Sequence, residues 1–152
     1  MIPNIILRDV TMEQKQRDTK QRHLTYDAVM SRCDHPTADE LYFQIHETDS
    51  RVSKGTVYRN LNVLVQTKQI MLVRVPGADR YDSRLDRHYH LICMNCGKVV
   101  DSPIPYRPEY DMDMEKATGF QIQRHRMIFE GLCADCTAKE KNTYRQTGTA
   151  ET

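Results

Sequence analysis

The sequence predicts an α+β fold in two domains. Three observations carry that expectation: three helical segments closed by a strand–turn–strand, two Cys-x-x-Cys pairs in the C-terminal half, and a change of texture near Ser83–Asp86. Residues 1–84 form the first expected domain and residues 85–141 the second. Residues 142–152 make a polar tail too poor in apolar side chains to fold. The net charge of +1 does not announce a nucleic-acid partner, although its small positive excess falls in the N-terminal half. No window approaches the roughly 20 apolar residues of a membrane span. The first residues lack the basic start and cleavage site of a signal peptide, so a cytoplasmic protein with no membrane partner is expected.

In chain order, Glu13–Lys20 suits a short helix, and helical character strengthens from Gln21 to Cys33. Asp34-His35-Pro36 breaks it, because the residue before a proline avoids the α region. Thr37-Ala-Asp-Glu40 reads as a capping box, in which Thr37 and Glu40 each satisfy a free backbone N–H. The helix that follows carries Leu41 and Ile45 and runs to about Glu47. Ser53 is an N-cap for a third helix, Lys54–Thr67, whose apolar face is Val57, Leu61, Leu64 and Val65. Ile70–Val75, the turn Pro76–Asp79 and Arg80–Asp82 complete a hairpin.

Three helices followed by a hairpin is the order of a winged helix-turn-helix, a DNA-binding domain. The bland alternative is a generic helical domain with a hairpin. In the winged reading Lys54–Thr67 enters the major groove. Lys54 and Arg59 then face phosphate or guanine, Thr56 phosphate, and Tyr58 and Asn62 base edges.

The second half holds two predicted strands, His88–Cys93 and Lys98–Asp101, around the first cysteine pair. Ser102–Pro108 contains three prolines and is expected to be a connection. Glu109–Thr118 reads as a helix, and a long strand is expected from Gly119 to Gly131. Cys133–Cys136 opens a short terminal helix.

Five cysteines in a cytosolic chain argue against a disulfide framework. Cys33 alone is expected to be a small buried hydrophobe. Cys93, Cys96, Cys133 and Cys136 supply four thiolates, which close a tetrahedral Zn²⁺ site with no open position and hence a structural role. A small second domain needs such a staple. A thioredoxin-type redox pair is the competing reading, and neither pair has the βαβ context for it.

His88 and His90 alternate across Tyr89, so a strand points both imidazoles to one face. Two imidazoles do not fill a coordination sphere. Asp82, Asp101 and His35 are the available partners, and such a nitrogen–oxygen set suits Fe²⁺, Mn²⁺ or Zn²⁺. With His35 from the first domain and His88, His90 and Asp101 from the second, an ion would act as a clasp. His125 is a candidate for an auxiliary metal site, and its bland reading is a satisfied strand histidine.

Together, Gln21-Arg22, Ser53-Lys-Gly-Thr-Val-Tyr-Arg-Asn-Leu61, His88-x-His90-Leu-Ile-Cys-x-x-Cys-Gly-Lys98 and Cys133-x-x-Cys136 give the chain its family likeness. From about Gln21 to Lys141 it resembles the ferric uptake regulator superfamily, and within it the peroxide-sensing repressors. Lys20 stands where the family usually has proline. The resemblance implies a homodimer built on the C-terminal domain, a palindromic double-stranded operator, and regulatory ligands His35, Asp82, His88, His90 and Asp101 for Fe²⁺ or Mn²⁺. Aspartate at 101 is similar to peroxide sensors, where typical iron-uptake regulators carry glutamate. The implied oxidation targets are His35 and His88. Many relatives hold a further ion with ligands at the positions of Arg87 and Tyr89, which implies that this site is lost here despite His125. The resemblance therefore implies a repressor rather than an enzyme. An iron- or zinc-uptake regulator is the alternative within the class, and a metal-dependent hydrolase or oxygenase the alternative outside it. No general acid–base constellation accompanies the ligands to support the last.

Overall fold

The computed structural model describes residues 19–139. The polar tail 142–152 lies outside the described residues, as does nearly all of the short helix expected at Glu13–Lys20. The chain divides into two compact units, Met1–Leu85 and Asp86–Thr152.

In the first unit, α1 covers residues 19–30, α2 Ala38–Thr48, α3 Lys54–Gln66, β1 Met71–Val73 and β2 Arg80–Asp82. The α1 helix stops three residues short of the expected Cys33. There the Ser31 hydroxyl turns back to the Ala28 carbonyl, and the Arg32 N–H to that of Val29. The capping box forms as read: the Thr37 hydroxyl accepts from the Glu40 N–H at 3.2 Å, and the Glu40 carboxylate accepts from the Thr37 N–H at 2.7 Å. Ser53 caps α3 by accepting from the Thr56 N–H. The apolar face of α3 sinks Val57, Leu61 and Leu64 against Val29, Leu41, Ile45, Val52 and Ile70. Each such buried aliphatic side chain contributes about 1.5–3 kcal/mol.

Asn60 is also buried on α3, and its amide donates to the Thr25 hydroxyl at 3.3 Å. The hydrophobic period of α3 gives no sign of it. β1 and β2 pair antiparallel, Leu72 opposite Tyr81, and form the wing.

One further expectation fails in this unit. Cys33 is exposed, not buried, because α1 has already ended and its segment turns outward. The break expected at Asp34-His35-Pro36 is present, and within it His35 takes φ +53°, the left-handed region. Histidine tolerates that region better than most residues. The following chain is tied down at once: the Tyr81 N–H donates to the Pro36 carbonyl, and Thr37 bridges to Arg80.

In the second unit, β3 covers His88–Cys93, β4 Val99–Pro105, α4 Glu109–Thr118, β5 Ile128–Gly131 and α5 residues 134–139. The sheet order is β4-β3-β5, with β4 antiparallel and β5 parallel to β3. The segment read as a connection is strand as far as Pro105. β4 is an edge strand and its register slips between the partners of His88 and His90, so Pro103 and Pro105 need not donate to the ladder. The long strand expected from Gly119 is confined to its last four residues, and 119–127 is irregular. Gly119, at φ +74°, ends α4 with its N–H on the Glu115 carbonyl.

Candidate metal centres and nucleic-acid face

The four paired cysteines converge. β3 ends at Cys93, Gly97 turns the chain at φ +71°, and its N–H donates to the Cys93 carbonyl at 2.8 Å. β5 runs beside β3 as far as Cys93↔Gly131, which delivers Cys133 and the start of α5 to the same end of the sheet. One sulfur from each cysteine lies within 4.8 Å of the others, and Cys96 and Cys133 are 3.8 Å apart. Zinc–sulfur bonds of about 2.3 Å in a tetrahedron require sulfurs about 3.8 Å apart, so the donor set fits Zn²⁺.

The backbone N–H groups of Cys133 and Cys96 aim at Cys93 and pull its thiol down to about 6. Cys136 goes up to about 12. A hydrogen bond with Asn95 opposes that rise, while Cys133, burial, Cys93 and Cys96 drive it. Four sulfurs this close are a donor set whose thiolate charge a divalent cation would neutralise.

The strand pairing builds the second donor group. His90 sits opposite Asp101 across β3–β4. His88 Nε2 lies 3.0 Å from His90 Nε2 and 3.2 Å from Asp101 Oδ1, and His90 Nε2 lies 3.8 Å from the same oxygen. Ligands about 2.1 Å from one ion are spaced like this. His88 Nδ1 is 2.8 Å from the Asp86 carbonyl, which only accepts. Nδ1 therefore donates there, which would leave Nε2 to serve as the ligand atom toward a bound ion. The first unit holds a second, smaller group: His35 Nε2 lies 3.7 Å from Asp82 Oδ2, with both residues buried. The Arg84 N–H donates to Asp82 Oδ1 at 2.8 Å and fixes that carboxylate.

His125 has a different setting. Its Nε2 lies 2.8 Å from the Tyr89 hydroxyl, and its Nδ1 lies 2.7 Å from Asp111 Oδ1 and 2.9 Å from the Tyr106 hydroxyl. Tyr106 stacks on the imidazole and donates to Asp111 Oδ2. The Arg87 guanidinium is 4.0 Å from Asp111 and 5.6 Å from the Tyr106 ring centre. Burial alone would raise the Asp111 carboxyl, but hydrogen bonds from Tyr106 and His125 hold it below the usual range. Both imidazole nitrogens are engaged in this network, with a guanidinium beside it where an auxiliary ion would add positive charge. The parts played by Tyr106 and Asp111 depend on how β4, α4 and the 119–127 segment fold together, and no spacing in the sequence gives that away.

On α3 the five expected nucleic-acid contacts present themselves unequally. Lys54, Tyr58, Arg59 and Asn62 are exposed, and Thr56 is half-buried with its hydroxyl 2.9 Å from that of Ser53. Asp39, in the first turn of α2, accepts from both Lys54 Nζ at 2.8 Å and the Tyr58 hydroxyl at 2.7 Å. Nothing in the local sequence singled it out.

One unit with a capped helix and a wing, and another with sulfur and imidazole–carboxylate donor groups, define a metal-dependent DNA-binding regulator. Residues 13–130 match the Ferric uptake regulator family, and the chain belongs to that family. It is 35% identical over 127 residues to the peroxide operon regulator of Bacillus subtilis, covering 83% of this chain and 88% of that one. Its fold superposes on the Campylobacter jejuni peroxide stress regulator with a TM-score of 0.71 at 26% identity, over 86% of this chain and 98% of the other. On the Helicobacter pylori ferric uptake regulator, which has three functional metal binding sites, the TM-score is 0.70 at 25% identity, over 87% and 91%. Members of the family are transcriptional regulators, not enzymes. Among the described residues no helix is long and apolar enough to cross a membrane.

Proposed function

We propose that this chain is a cytoplasmic repressor that holds its operator when a regulatory ion is bound and lets go on meeting hydrogen peroxide. The observation that carries the reading is the register of His90 with Asp101, which sets one carboxylate oxygen 3.2 Å from His88 Nε2. Two imidazoles and a carboxylate suit Fe²⁺ or Mn²⁺. Aspartate at this position is what the peroxide-sensing relatives are expected to carry, and the Bacillus subtilis relative is named for peroxide.

In the proposed centre His35 and Asp82 join His88, His90 and Asp101 on one ion. An ion that took ligands from both units would favour one arrangement of them. Fe²⁺, if held there, would supply the redox chemistry that activates peroxide, lending an electron and recovering it, so that the net two electrons come from the imidazole. His35 and His88 would take the oxidation: a ring C–H becomes C–OH with one oxygen of the peroxide, and the other oxygen leaves as water. The ring nitrogen next to the oxidised carbon is a poorer donor, so the grip weakens. Mn²⁺ would hold the same ligands without that reaction. Cys93, Cys96, Cys133 and Cys136 hold structural Zn²⁺ throughout.

The DNA face is α3, with Lys54 and Arg59 on phosphate or guanine, Thr56 on phosphate, and Tyr58 and Asn62 at base edges. A palindromic operator needs two copies. The second unit leaves Val100, Ile104, Ile128, Phe129 and Leu132 exposed, an apolar surface suited to a second copy of this chain. Phe129→Glu is expected to give a monomer by light scattering, with operator binding lost and zinc retained.

The deciding experiment treats Fe²⁺-loaded protein with peroxide and weighs its tryptic peptides. The peptides carrying His35 or His88 are expected to gain one oxygen atom while DNA binding is lost, and the Mn²⁺ form to change in neither respect. DNA binding that survives peroxide with no oxygen added would make the chain an iron- or zinc-uptake regulator answering metal level instead.

A further inference from the structure

Asp39 occupies an odd place for a carboxylate. It lies on α2, half-exposed, and one carboxylate oxygen, Oδ1, meets two α3 side chains that the DNA-binding reading puts on DNA, Lys54 and Tyr58. Lys54 and Tyr58 are one helical turn apart, and Lys54 Nζ also lies 5.9 Å from the Tyr58 ring centre. The other acid of that turn, Glu40, is taken up by the capping box and by Arg80 at 3.5 Å. Asp39 therefore faces the recognition helix rather than its own. A negative charge here works against phosphate, so it weakens DNA binding unless it does something else.

We propose that Asp39 is a specificity-determining positioning residue: it holds Lys54 back from indiscriminate phosphate contact and locks the Tyr58 hydroxyl in the orientation that reads a base edge. The reading rests on the DNA-binding assignment of α3.

An exposed ion pair is weak, so correctly spaced phosphate displaces Asp39 from Lys54 at little cost. Randomly placed phosphate must offset the same exchange with fewer contacts. The Tyr58–Asp39 hydrogen bond points the phenol without tying up its ring face. Lys54 thus acts as a gated contact and Tyr58 as an aimed one, both set by one carboxylate.

The two roles separate by substitution. Asn keeps an acceptor for the Tyr58 hydroxyl but loses the charge that holds Lys54, and Ala loses both. Binding is measured with Mn²⁺-loaded dimer on a random-sequence duplex and on a duplex selected from a randomised pool by the wild-type protein. Asp39→Asn is expected to tighten the random duplex by about two- to fivefold, the scale of an exposed ion pair. Its affinity for the selected duplex should change less, so the ratio between the two falls. Asp39→Ala is expected to show the same gain on the random duplex and also to lose roughly tenfold on the selected one, the scale of one base contact. Tyr58→Phe should match that second loss, and adding it to Asp39→Ala should cost nothing more.

A purely structural role at the start of α2 would shift the melting temperature and weaken both duplexes together, which would overturn the proposal. So would an unchanged ratio in Asp39→Asn, or equal behaviour of the Asn and Ala variants on the selected duplex. Wild-type protein that enriches no duplex at all would sink the DNA-binding assignment itself, and the role of Asp39 with it.

Discussion

The two units hold themselves together by different means. Among the described residues the first buries twelve apolar side chains, from Ala28 to Tyr81, and the second buries five, Tyr89, Ile92, Cys93, Val99 and Cys136. Two of those five are cysteines of the four-sulfur group. Neither α4 nor β5 has a buried residue. The first unit closes around side chains that pack from three helices and a wing. The second hangs a narrow sheet on its sulfur cluster and on the Tyr89–His125–Asp111 network. A packed core of the first kind folds without help. A core as thin as the second is marginal until something binds it.

The largest effect should therefore come from the sulfurs. Cys96→Ser, or stripping zinc with a strong chelator, is expected to unfold the second unit while leaving the first. Structural zinc is worth about 10–16 kcal/mol in small domains, more than a thin core has to spare. Amide hydrogen exchange in β3–β5 would rise to the unprotected limit, while α1–α3 would stay protected. Retained protection in β3 without zinc would show that the two units are not so different after all.

The reciprocal test is Leu61→Ala. Leu61 is fully buried, and truncation in such a site costs about 2–5 kcal/mol. Melting of the first unit should drop accordingly, and bound zinc should stay unchanged. A zinc content that falls with it would mean that the units fold as one.

How much of this was legible in the sequence follows the same division. The first unit was readable because its signals are local. Thr37 and Glu40 are three residues apart, and Ser53 stands beside the helix it caps. The buried positions 57, 61 and 64 repeat at helical spacing. The cysteine pairs and the same-side imidazoles of His88 and His90 are local in the same sense.

What was missed depends on partners distant in the chain. β4 runs through Pro103 and Pro105 because it lies at the sheet edge with a slipped register, and edge position is not written in a proline count. The residues 119–127 alternate like a strand but find no strand to pair with among the described residues. The positive φ of His35 is stabilised by β2, some forty-five residues on. Asp39 has meaning only because α3 packs across α2.

The smallest effect sharpens the comparison most. Tyr89 is buried, and its hydroxyl accepts from the Arg107 N–H at 3.0 Å and meets His125 Nε2 at 2.8 Å. With that nitrogen accepting, the imidazole proton lies on Nδ1 and points at Asp111 Oδ1. Tyr89→Phe keeps the ring and its packing but orphans a backbone donor and an imidazole nitrogen, which should cost about 1–3 kcal/mol. The loss should fall on the second unit alone. If the network is a brace that stands in for a lost auxiliary ion, the variant's metal content will equal that of the wild type, and excess Mn²⁺ or Zn²⁺ will not restore its melting temperature. Rescue by either ion would mean that His125, Asp111 and Tyr106 still form a working metal site. The second unit would then depend on metal in two places, and its contrast with the self-sufficient first unit would be sharper still.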